Sequence, residues 1–242
     1  MEVINWESFT QGPELRGDGI HIWRSWLSLD SHDLKRLRSY LTSDEQDRAA
    51  RFRFDRDRNR YIVARGILRT VLGLYLQKPP ESLRFRYGPR GKPSLDLVAS
   101  PQSLEFNLSH SDDLALFAIG WNRNLGVDVE QIRPNFGGEE IAQRYFSAAE
   151  AQALVQLPVE DRPAGFFKCW TRKEAYIKAS GEGLQIPFDS FDVSPALGVS
   201  ESSPGGADPR WRMWAFSPAP NYAAALVSDG WPSELSFFHW NP

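Results

Sequence analysis

Cysteine is nearly absent from this sequence of 242 residues, which contains only Cys169. A single cysteine excludes an internal disulfide and a zinc site built from several thiolates, so a reducing compartment such as the cytoplasm is expected. No apolar run approaches the roughly 20 residues of a membrane-spanning helix, and the first residues lack the basic start and apolar centre of a secretory signal. We therefore expect no membrane partner.

An excess of positive charge is also missing. The sequence has 28 Lys and Arg against 31 Asp and Glu, a formal net charge of -3, which argues against general nucleic-acid binding. The basic residues are nevertheless clustered, with eight arginines between Arg48 and Arg69 and only Asp55 and Asp57 among them. This concentration suits a small polyphosphate ligand, although a solvated helix face with ordinary ion pairs explains it equally well.

Two segments of the chain follow the same plan. Thr42-Ser43-Asp44-Glu45 and Ser147-Ala148-Ala149-Glu150 both have the pattern of a capping box, which begins a helix. Each is followed, 16 residues after its glutamate, by an aromatic residue that opens a longer helical pattern. These patterns predict long helices over residues 61–72 and 166–178. They indicate a duplicated unit.

Strand-like runs follow each of these helical segments. They predict strands at residues 83–87, 104–107, 114–119, 191–193, 211–216 and 222–227. Gly73 and Gly181 are suited to end the two long helices. The simplest account is an α+β fold of two similar helix-plus-antiparallel-sheet halves related by a pseudo-twofold axis, with residues 1–122 and 123–242 as the halves. The segment 200–209, rich in Ser, Gly and Pro, is expected to be the least ordered.

A short strand pattern, Gly126-Val127-Asp128-Val129-Glu130, places two carboxylates on one face. With about 3.3 Å of rise per residue, Asp128 and Glu130 lie roughly 7 Å apart along the backbone. Such a pair can hold Mg²⁺, which takes oxygen ligands and keeps waters and substrate phosphates in its shell. A solvent-facing pair has the same pattern, so the segment alone leaves both interpretations open.

The second long helix adds a further carboxylate and a cation. Trp170, Glu174 and Lys178 are spaced four residues apart and share one face. Glu174 is a candidate third metal ligand, and Lys178 is a candidate point charge for phosphate oxygens. An ordinary Glu–Lys helix pair beside a core tryptophan is the alternative.

The segment Asn107-Leu108-Ser109-His110-Ser111 is predicted to be a loop after a strand, with hydroxyls and an imidazole suited to phosphate. A hydrolase with Ser109 or Ser111 as nucleophile is disfavoured, because no Gly-x-Ser-x-Gly elbow is present and residues adjacent in sequence seldom face each other as nucleophile and base. Gly91-Lys92-Pro93, preceded by Arg90, is a basic turn or a plain hairpin loop.

In this order and spacing the segments resemble the 4'-phosphopantetheinyl transferases, specifically the larger surfactin-synthetase-activating class that is built from two similar halves. The matching stretches are Arg90-Gly91-Lys92-Pro93, Phe106-Asn107-Leu108-Ser109-His110-Ser111, Gly126-Val127-Asp128-Val129-Glu130 and Trp170-Thr171-Arg172-Lys173-Glu174-Ala175-Tyr176-Ile177-Lys178. The resemblance covers roughly residues 44–193, and the combination of the last two stretches makes it specific.

The resemblance implies an enzyme that transfers the 4'-phosphopantetheine of coenzyme A to a serine of an apo acyl or peptidyl carrier protein and releases adenosine 3',5'-bisphosphate. It implies Mg²⁺ or Mn²⁺ bound by Asp128, Glu130 and Glu174, with Asp128, Glu174 and Lys178 as catalytic residues. Glu174 is the first candidate to accept the proton of the carrier serine, directly or through a water. Coenzyme A contacts are implied for Arg48, Arg60, Arg90, Lys92, Ser109, His110 and Lys178, with His110 on the 3'-phosphate.

A carrier protein is expected to bind near the junction of the halves. Phe136, Tyr145 and Phe146 are candidate contacts, although core positions account for them as well. A monomer is expected, because two related halves already supply a paired interface. Two other functions stay open: a Mg²⁺-dependent phosphohydrolase or nuclease that needs no carrier, and a non-catalytic carrier-binding module that needs neither metal nor coenzyme A.

Overall fold

The structure, a computed structural model, describes residues 4–8, 14–89, 91–96, 102–193, 201–205 and 208–242. The helices are α1 (Ser31–Ser39), α2 (Ser43–Ala50), α3 (Asp55–Leu76), α4 (Glu139–Tyr145), α5 (Ala148–Gln156) and α6 (Arg162–Ser180). The strands are β1 (Glu7–Ser8), β2 (Ile20–Trp26), β3 (Phe85–Tyr87), β4 (Pro93–Leu95), β5 (Leu104–Ser111), β6 (Leu114–Trp121), β7 (Leu125–Gln131), β8 (Glu201–Ser202), β9 (Trp211–Phe216), β10 (Tyr222–Asp229) and β11 (Leu235–His239). Short 3₁₀ turns occupy Pro80–Ser82, Val159–Asp161, Gly183–Gln185 and Phe188–Ser190. None of the helices in these ranges is long and apolar enough to cross a membrane.

Four layers build the molecule: a helix, two sheets and a second helix. The first sheet has the order β1-β11-β2-β6-β5 and the second has the order β7-β10-β9-β8, while β3 and β4 form a separate hairpin. Helix α3 packs on the outer face of the first sheet and α6 on the outer face of the second. Apolar side chains of β2, β6, β7 and β10 fill the space between the sheets. The mixed α and β fold is as predicted.

The central strands are buried on both faces, which explains their nearly continuous apolar sequences. Strand β6 directs Ala115, Phe117 and Ile119 towards α3, and it directs the alternating residues Leu114, Leu116 and Ala118 towards the second sheet. Strand β10 divides its side chains in the same way between α6 and the first sheet. Each sheet therefore contributes side chains to two hydrophobic cores, one on each of its faces.

Gly126 allows α6 to lie directly on β7. A Cβ atom at this position would lie 2.2 Å from the Ala175 carbonyl oxygen and 2.4 Å from the Ala179 nitrogen, both in α6. Any side chain would push the helix away from the strand. This close approach brings Glu174 and Lys178 over the strand that carries Asp128.

Both predicted helix starts are confirmed, and one of the two predicted helix ends is wrong. Thr42 and Ser147 are the N-caps of α2 and α5, and each capping box is complete. Gly181, with φ of 71°, ends α6 as predicted. Gly73 does not end α3, because that helix continues to Leu76 and Gln77 takes the left-handed conformation. Gly73 instead lets the Lys78 carbonyl approach, since a Cβ would lie 2.6 Å from that oxygen.

Several strand predictions need correction. Strand β5 runs through Ser111, so residues 107–111 are not a loop, because they continue the pairing with β6. Residues 191–193 are not a strand: only Asp192 makes an isolated bridge, to Gly205, while the Val193 amide donates to Glu150. Of the segment 200–209, residues 201–202 pair with β9 as β8, while residues 200, 206 and 207 lie outside the described residues. Helices α1 and α4 and strands β1, β2, β4, β8 and β11 were not predicted.

The division after residue 122 falls between β6 and β7 and stays a prediction as a domain assignment. Strand β11, near the end of the chain, pairs in parallel with β2 of the first sheet. The last strand of the second half therefore completes the sheet of the first half.

Candidate active site at the junction of the two sheets

Strands β5 and β7 lie beside each other at the edges of the two sheets, and side chains join them. The Asn107 Oδ1 atom accepts a hydrogen bond from the Val127 amide at 2.9 Å. The Ser111 hydroxyl accepts one from the Gln131 amide at 3.1 Å. These side chains satisfy backbone donors at the open edge of the second sheet, so the polar residues of β5 link the halves where the candidate carboxylates lie.

Asp128 lies at the centre of this junction and is only 4% exposed. Its Oδ1 atom accepts hydrogen bonds from the Lys178 ammonium at 2.6 Å and from the Ser109 hydroxyl at 2.8 Å. The ammonium also donates to the Ser109 hydroxyl at 3.0 Å and to the Val127 carbonyl at 3.3 Å. These three contacts use the three donors of the lysine. The structure therefore brings Asp128, Ser109 and Lys178 together.

The other oxygen of the Asp128 carboxylate, Oδ2, is buried and has no hydrogen-bond partner among the described residues. A buried carboxylate oxygen without a partner is costly, and a bound cation is one way to satisfy it. Burial raises the pKa of Glu174, and the nearby charges of Asp128 and Glu130 raise it further, while Lys178 opposes them. Burial also raises the pKa of Glu130, whereas the Ser111 hydrogen bond lowers it. This set of hard oxygen donors fits Mg²⁺ or Mn²⁺.

The three carboxylates are not gathered as tightly as a closed metal cage. Among the described residues, the group of three side chains whose ligand atoms all lie within 4.8 Å of one another is Asp30, His32 and Asp33. That group is at the surface, where Asp30 caps α1 and Asp33 pairs with Arg36. The wider spacing of Asp128, Glu130 and Glu174 is compatible with Mg²⁺, which commonly completes its shell with waters and phosphates.

Two pockets flank the turn that carries Gly91, Lys92 and Pro93. One has a volume of about 250 Å³ and is also lined by Asn107, Leu108, Ile177, Lys178, Gly181 and Gly183. The other has a volume of about 210 Å³ and is lined by Arg48, Tyr61, Ala64, Arg65, Tyr87, Leu108 and His110. The two pockets share Gly91, Pro93 and Leu108, and cationic residues lie in both: Lys178 in the first, Arg48 and Arg65 in the second.

Lys92 lies in the first of these pockets, but its ammonium turns into the protein. It donates to the Lys178 carbonyl at 2.7 Å and to the Leu125 carbonyl at 3.2 Å. Burial lowers the pKa of Lys92, against the raising effect of Glu105 and Asp229. In this structure Lys92, a predicted coenzyme A contact, therefore links the first half of the chain to the second through hydrogen bonds.

His110 and Arg48 both line the second pocket, and their role as coenzyme A contacts stays a prediction. Burial and the neighbouring cations Lys178 and Arg60 lower the pKa of His110. Arg65 was not predicted as a site residue, yet its guanidinium donates to the Tyr87 hydroxyl at 2.7 Å in the wall of this pocket. Its place in a dense arginine cluster was the signal in the sequence that marked it.

Arg60 and Arg90 differ from the other predicted contacts. The Arg60 guanidinium bridges Asp113 at 2.8 Å and Asp112 at 2.5 Å, in the turn between β5 and β6. It therefore holds the hairpin that carries Ser109 and His110. Arg90 lies outside the described residues.

The three aromatic residues predicted to meet a carrier have different environments. Phe146 is only 4% exposed and stacks on Phe166 with ring centroids 5.3 Å apart, so it is a core residue. Phe136 packs on Phe166 and Phe167, and Arg133 lies 4.5 Å above its ring. Tyr145 is 41% exposed.

Comparison with known proteins shows which family this chain is similar to. A family model described as the 4'-phosphopantetheinyl transferase superfamily matches residues 124–227, and a model of the N-terminal part of a 4'-phosphopantetheinyl transferase matches residues 24–121. The 4'-phosphopantetheinyl transferase HetI of Nostoc sp. is 38% identical over 93% of this chain and 94% of its own. The 4'-phosphopantetheinyl transferase Sfp of Bacillus subtilis is 30% identical over 68% of this chain and 71% of its own. The corresponding transferase psf-1 of Bacillus pumilus is 34% identical over 65% of both chains.

The chain therefore belongs to the 4'-phosphopantetheinyl transferase superfamily. It is an enzyme of the class that transfers phosphopantetheine to carrier proteins, with coenzyme A as the co-substrate. The boundary between the two family models, at residues 121 and 124, coincides with the turn between β6 and β7.

Proposed function

We propose that this enzyme attaches phosphopantetheine to a carrier serine at the junction of β5, β7 and α6, with Mg²⁺ or Mn²⁺ held by Asp128, Glu130 and Glu174. The observation that carries the proposal is the buried Asp128 oxygen without a partner, beside two carboxylates that burial and mutual repulsion make easier to protonate. A bound divalent cation would neutralise these carboxylates and the diphosphate of coenzyme A.

Coenzyme A would lie along the path of cationic residues between the two pockets. His110 and Arg48 are suited to the 3'-phosphate, while Arg65, which is buried against Glu45, supports the same wall. Lys178 is suited to a phosphate oxygen near Asp128, provided that it gives up part of its present contacts. Lys92, Arg60 and Ser109 are better explained as residues that hold this path in shape.

The reaction forms a bond between the serine oxygen of the carrier and the β-phosphorus of coenzyme A. It breaks the bond from that phosphorus to adenosine 3',5'-bisphosphate, which leaves. The serine proton must pass to a base, and Glu174 is the candidate because it is partly exposed on α6 beside Asp128. The carrier supplies the nucleophile, so this chain needs none of its own.

A surface pocket of about 550 Å³ next to Glu130 is suited to the carrier. It is lined by Gln131, Ile132, Arg133, Pro134, Asn135, Phe136 and Asn221. Phe136 offers apolar surface, and Arg133 offers a cation to an acidic partner. The identity of the carrier, the monomeric state and the cytoplasmic location stay predictions.

Intact-mass measurement of an apo acyl carrier protein tests the proposal. Incubation with the enzyme, coenzyme A and Mg²⁺ is expected to add one phosphopantetheine, about 340 Da from its composition. The gain should disappear with EDTA and with Asp128→Ala.

Other outcomes separate the alternatives. An unchanged carrier with cleaved coenzyme A would favour a phosphohydrolase. If peptidyl and polyketide carriers also stay unmodified while coenzyme A stays intact, a non-catalytic carrier-binding module would replace the proposal.

A further inference from the structure

We propose that Trp26 and the pocket beside it form a contact surface for the carrier protein on the first half, in addition to the pocket of the second half that contains Arg133 and Phe136. This inference rests on the proposed function. Trp26 is the last residue of β2 and is 42% exposed, although tryptophan is highly buried on average. An exposed tryptophan beside an active site is a candidate anchor for a protein partner.

The pairing of the strands places Trp26 close to the candidate site. Leu114, the first residue of β6, pairs with Ser111 of β5 on one side and with Trp26 of β2 on the other. Neighbouring strands are about 4.8 Å apart, so the backbone of Trp26 lies roughly 10 Å from that of Ser111. The Ser111 hydroxyl donates to Glu130 at 2.6 Å. A folded carrier that brings its serine to this junction would therefore extend over the end of β2.

The surface around Trp26 is continuous with the pocket of the second half. The Trp26 ring meets the Tyr222 ring edge-on, with centroids 6.2 Å apart. Tyr222 pairs with Gln131 on β7 and follows Asn221, and both Gln131 and Asn221 line the pocket of about 550 Å³. Tyr222 itself is only 5% exposed, so Trp26 is the member of the pair that a partner can reach.

A smaller pocket, of about 130 Å³, continues this surface on the first half. Leu27, which follows Trp26, contributes an apolar wall together with Leu29 and Val63. Arg56 and Arg60 contribute the cationic part of the lining. Apolar pockets of this kind, with charged residues at the rim, are typical of protein interfaces.

The charges of this surface are compatible with an acidic carrier. Asp112 and Asp113, in the turn beside the smaller pocket, are both paired with Arg60, at 2.5 Å and 2.8 Å. The Arg56 side chain is 71% exposed, and Arg133 lies in the pocket of the second half. The surface thus has a cation near each end and Trp26 between them, which suits a carrier helix with acidic and apolar side chains.

The test is the KM for the apo carrier that the enzyme modifies in the intact-mass assay, measured at saturating coenzyme A and metal. Trp26→Ala removes the anchor and is expected to raise this KM about tenfold, while the KM for coenzyme A stays unchanged. Trp26→Phe keeps aromatic surface and should raise it less. Arg56→Glu should also raise the KM for the carrier, with a smaller effect at high salt because the residue is exposed.

Trp231→Ala is the matched control. Trp231 is 46% exposed and also meets a buried aromatic residue edge-on, Trp214, with centroids 5.0 Å apart. It lies after the end of β10 that is opposite to Tyr222, away from the candidate site. This variant should leave the KM for the carrier unchanged, and the urea midpoints of the two alanine variants show whether both are folded.

Photocrosslinking gives a second measurement that does not depend on an alanine variant. Replacing Trp26 by photoreactive p-benzoylphenylalanine should cross-link the enzyme to the apo carrier, and the same replacement of Trp231 should not.

The inference and the proposed function fail in different ways. If Trp26→Ala and Trp231→Ala have the same KM for the carrier, or if position 26 gives no cross-link, the carrier does not use this surface and the inference is wrong. A rise in the KM for coenzyme A alone would assign Trp26 to the coenzyme A site instead. If the wild type modifies no acyl, peptidyl or polyketide carrier, the proposed function itself is wrong.

Discussion

The two helix-and-sheet halves share one structural feature, a buried capping-box glutamate, but differ in how their charged residues are paired. In the first half the capping-box residue Glu45 is buried and pairs with Arg65 and with Arg69, the latter at 2.7 Å. In the second half the capping-box residue Glu150 is buried and pairs with Lys173 at 2.7 Å. Each buried glutamate ties a short helix to the long helix that follows it.

The two halves differ at one equivalent position of their long helices. Arg69 and Glu174 each lie 24 residues after their capping-box glutamate. Arg69 is only 1% exposed and neutralises Glu45, whereas Glu174 leaves that task to Lys173 and lies beside Asp128. Glu45 and Glu150 thus both have cationic partners, whereas the Oδ2 atom of Asp128 in the site has no hydrogen-bond partner among the described residues.

The largest effect is expected from breaking the scaffold pair of the second half. Lys173→Met leaves Glu150 without its cation in a fully buried place, which should lower the free energy of unfolding by about 3–5 kcal/mol. Arg69→Met should cost less, because Glu45 keeps Arg65. Urea denaturation measures both variants, and adding Glu150→Gln to Lys173→Met should recover part of the loss. Equal losses at the two positions would contradict the proposed difference between the halves.

Asp128→Asn tests the other side of the comparison. The variant keeps the shape of the side chain but removes the charge that pairs with Lys178 and that the proposed metal would need, so kcat/KM should fall by about 10²–10³. The urea midpoint should change far less than in Lys173→Met. Glu105→Gln removes a surface carboxylate from β5 and should leave both quantities unchanged. Full activity in Asp128→Asn would remove the distinction between site and framework.

Acid should affect the first half through a neutral buried histidine. His21 is 5% exposed and shares a hydrogen bond with Tyr75 at 2.8 Å, and burial lowers the pKa of His21 to about 4. Above pH 6.5 the histidine is neutral in both states and its full contribution is present. Between pH 6.5 and about 4, His21 binds a proton in the unfolded chain but not in the folded chain. The free energy of unfolding therefore falls by about 3 kcal/mol over this range.

The urea midpoint at pH 7.5 and at pH 5 checks this expectation. His21→Asn keeps an acceptor for Tyr75 but cannot titrate, so it should lose less stability on acidification than the wild type. His32→Asn, at the exposed start of α1, is the control and should behave as the wild type does. Identical pH dependence in wild type and His21→Asn would assign the acid sensitivity to other groups.

The smallest effect is expected in the cationic pocket of the first half. His110→Gln replaces an imidazole that a bound phosphate can protonate by an amide that stays neutral, in the pocket that also contains Arg48, so the KM for coenzyme A should rise about tenfold while kcat stays nearly constant. Steady-state kinetics at saturating carrier and metal measures the two constants. A fall in kcat with unchanged KM would place His110 with the residues of the second half instead.

Much of this arrangement could be predicted from local sequence patterns. The capping boxes, the long helices and the strand that carries Asp128 and Glu130 depend on neighbouring residues, and the structure confirms them. The prediction that Gly73 ends a helix was wrong because glycine is also required where another backbone segment approaches closely, here at Lys78. The prediction of a loop at residues 107–111 was wrong because polar residues are typical of loops, whereas here they lie on a strand and face the edge of another sheet.

The sequence by itself determined which residues carry charge and on which face of each element they lie, because helical and strand periodicity are local properties. Only the tertiary structure decided which of these residues meet. It set Ser109 against Asp128, turned Lys92 into the protein and gave Arg60 to the Asp112–Asp113 turn. These pairings depend on how closely α6 lies on β7 and how the two sheet edges align, and both are set by contacts between residues far apart in the chain.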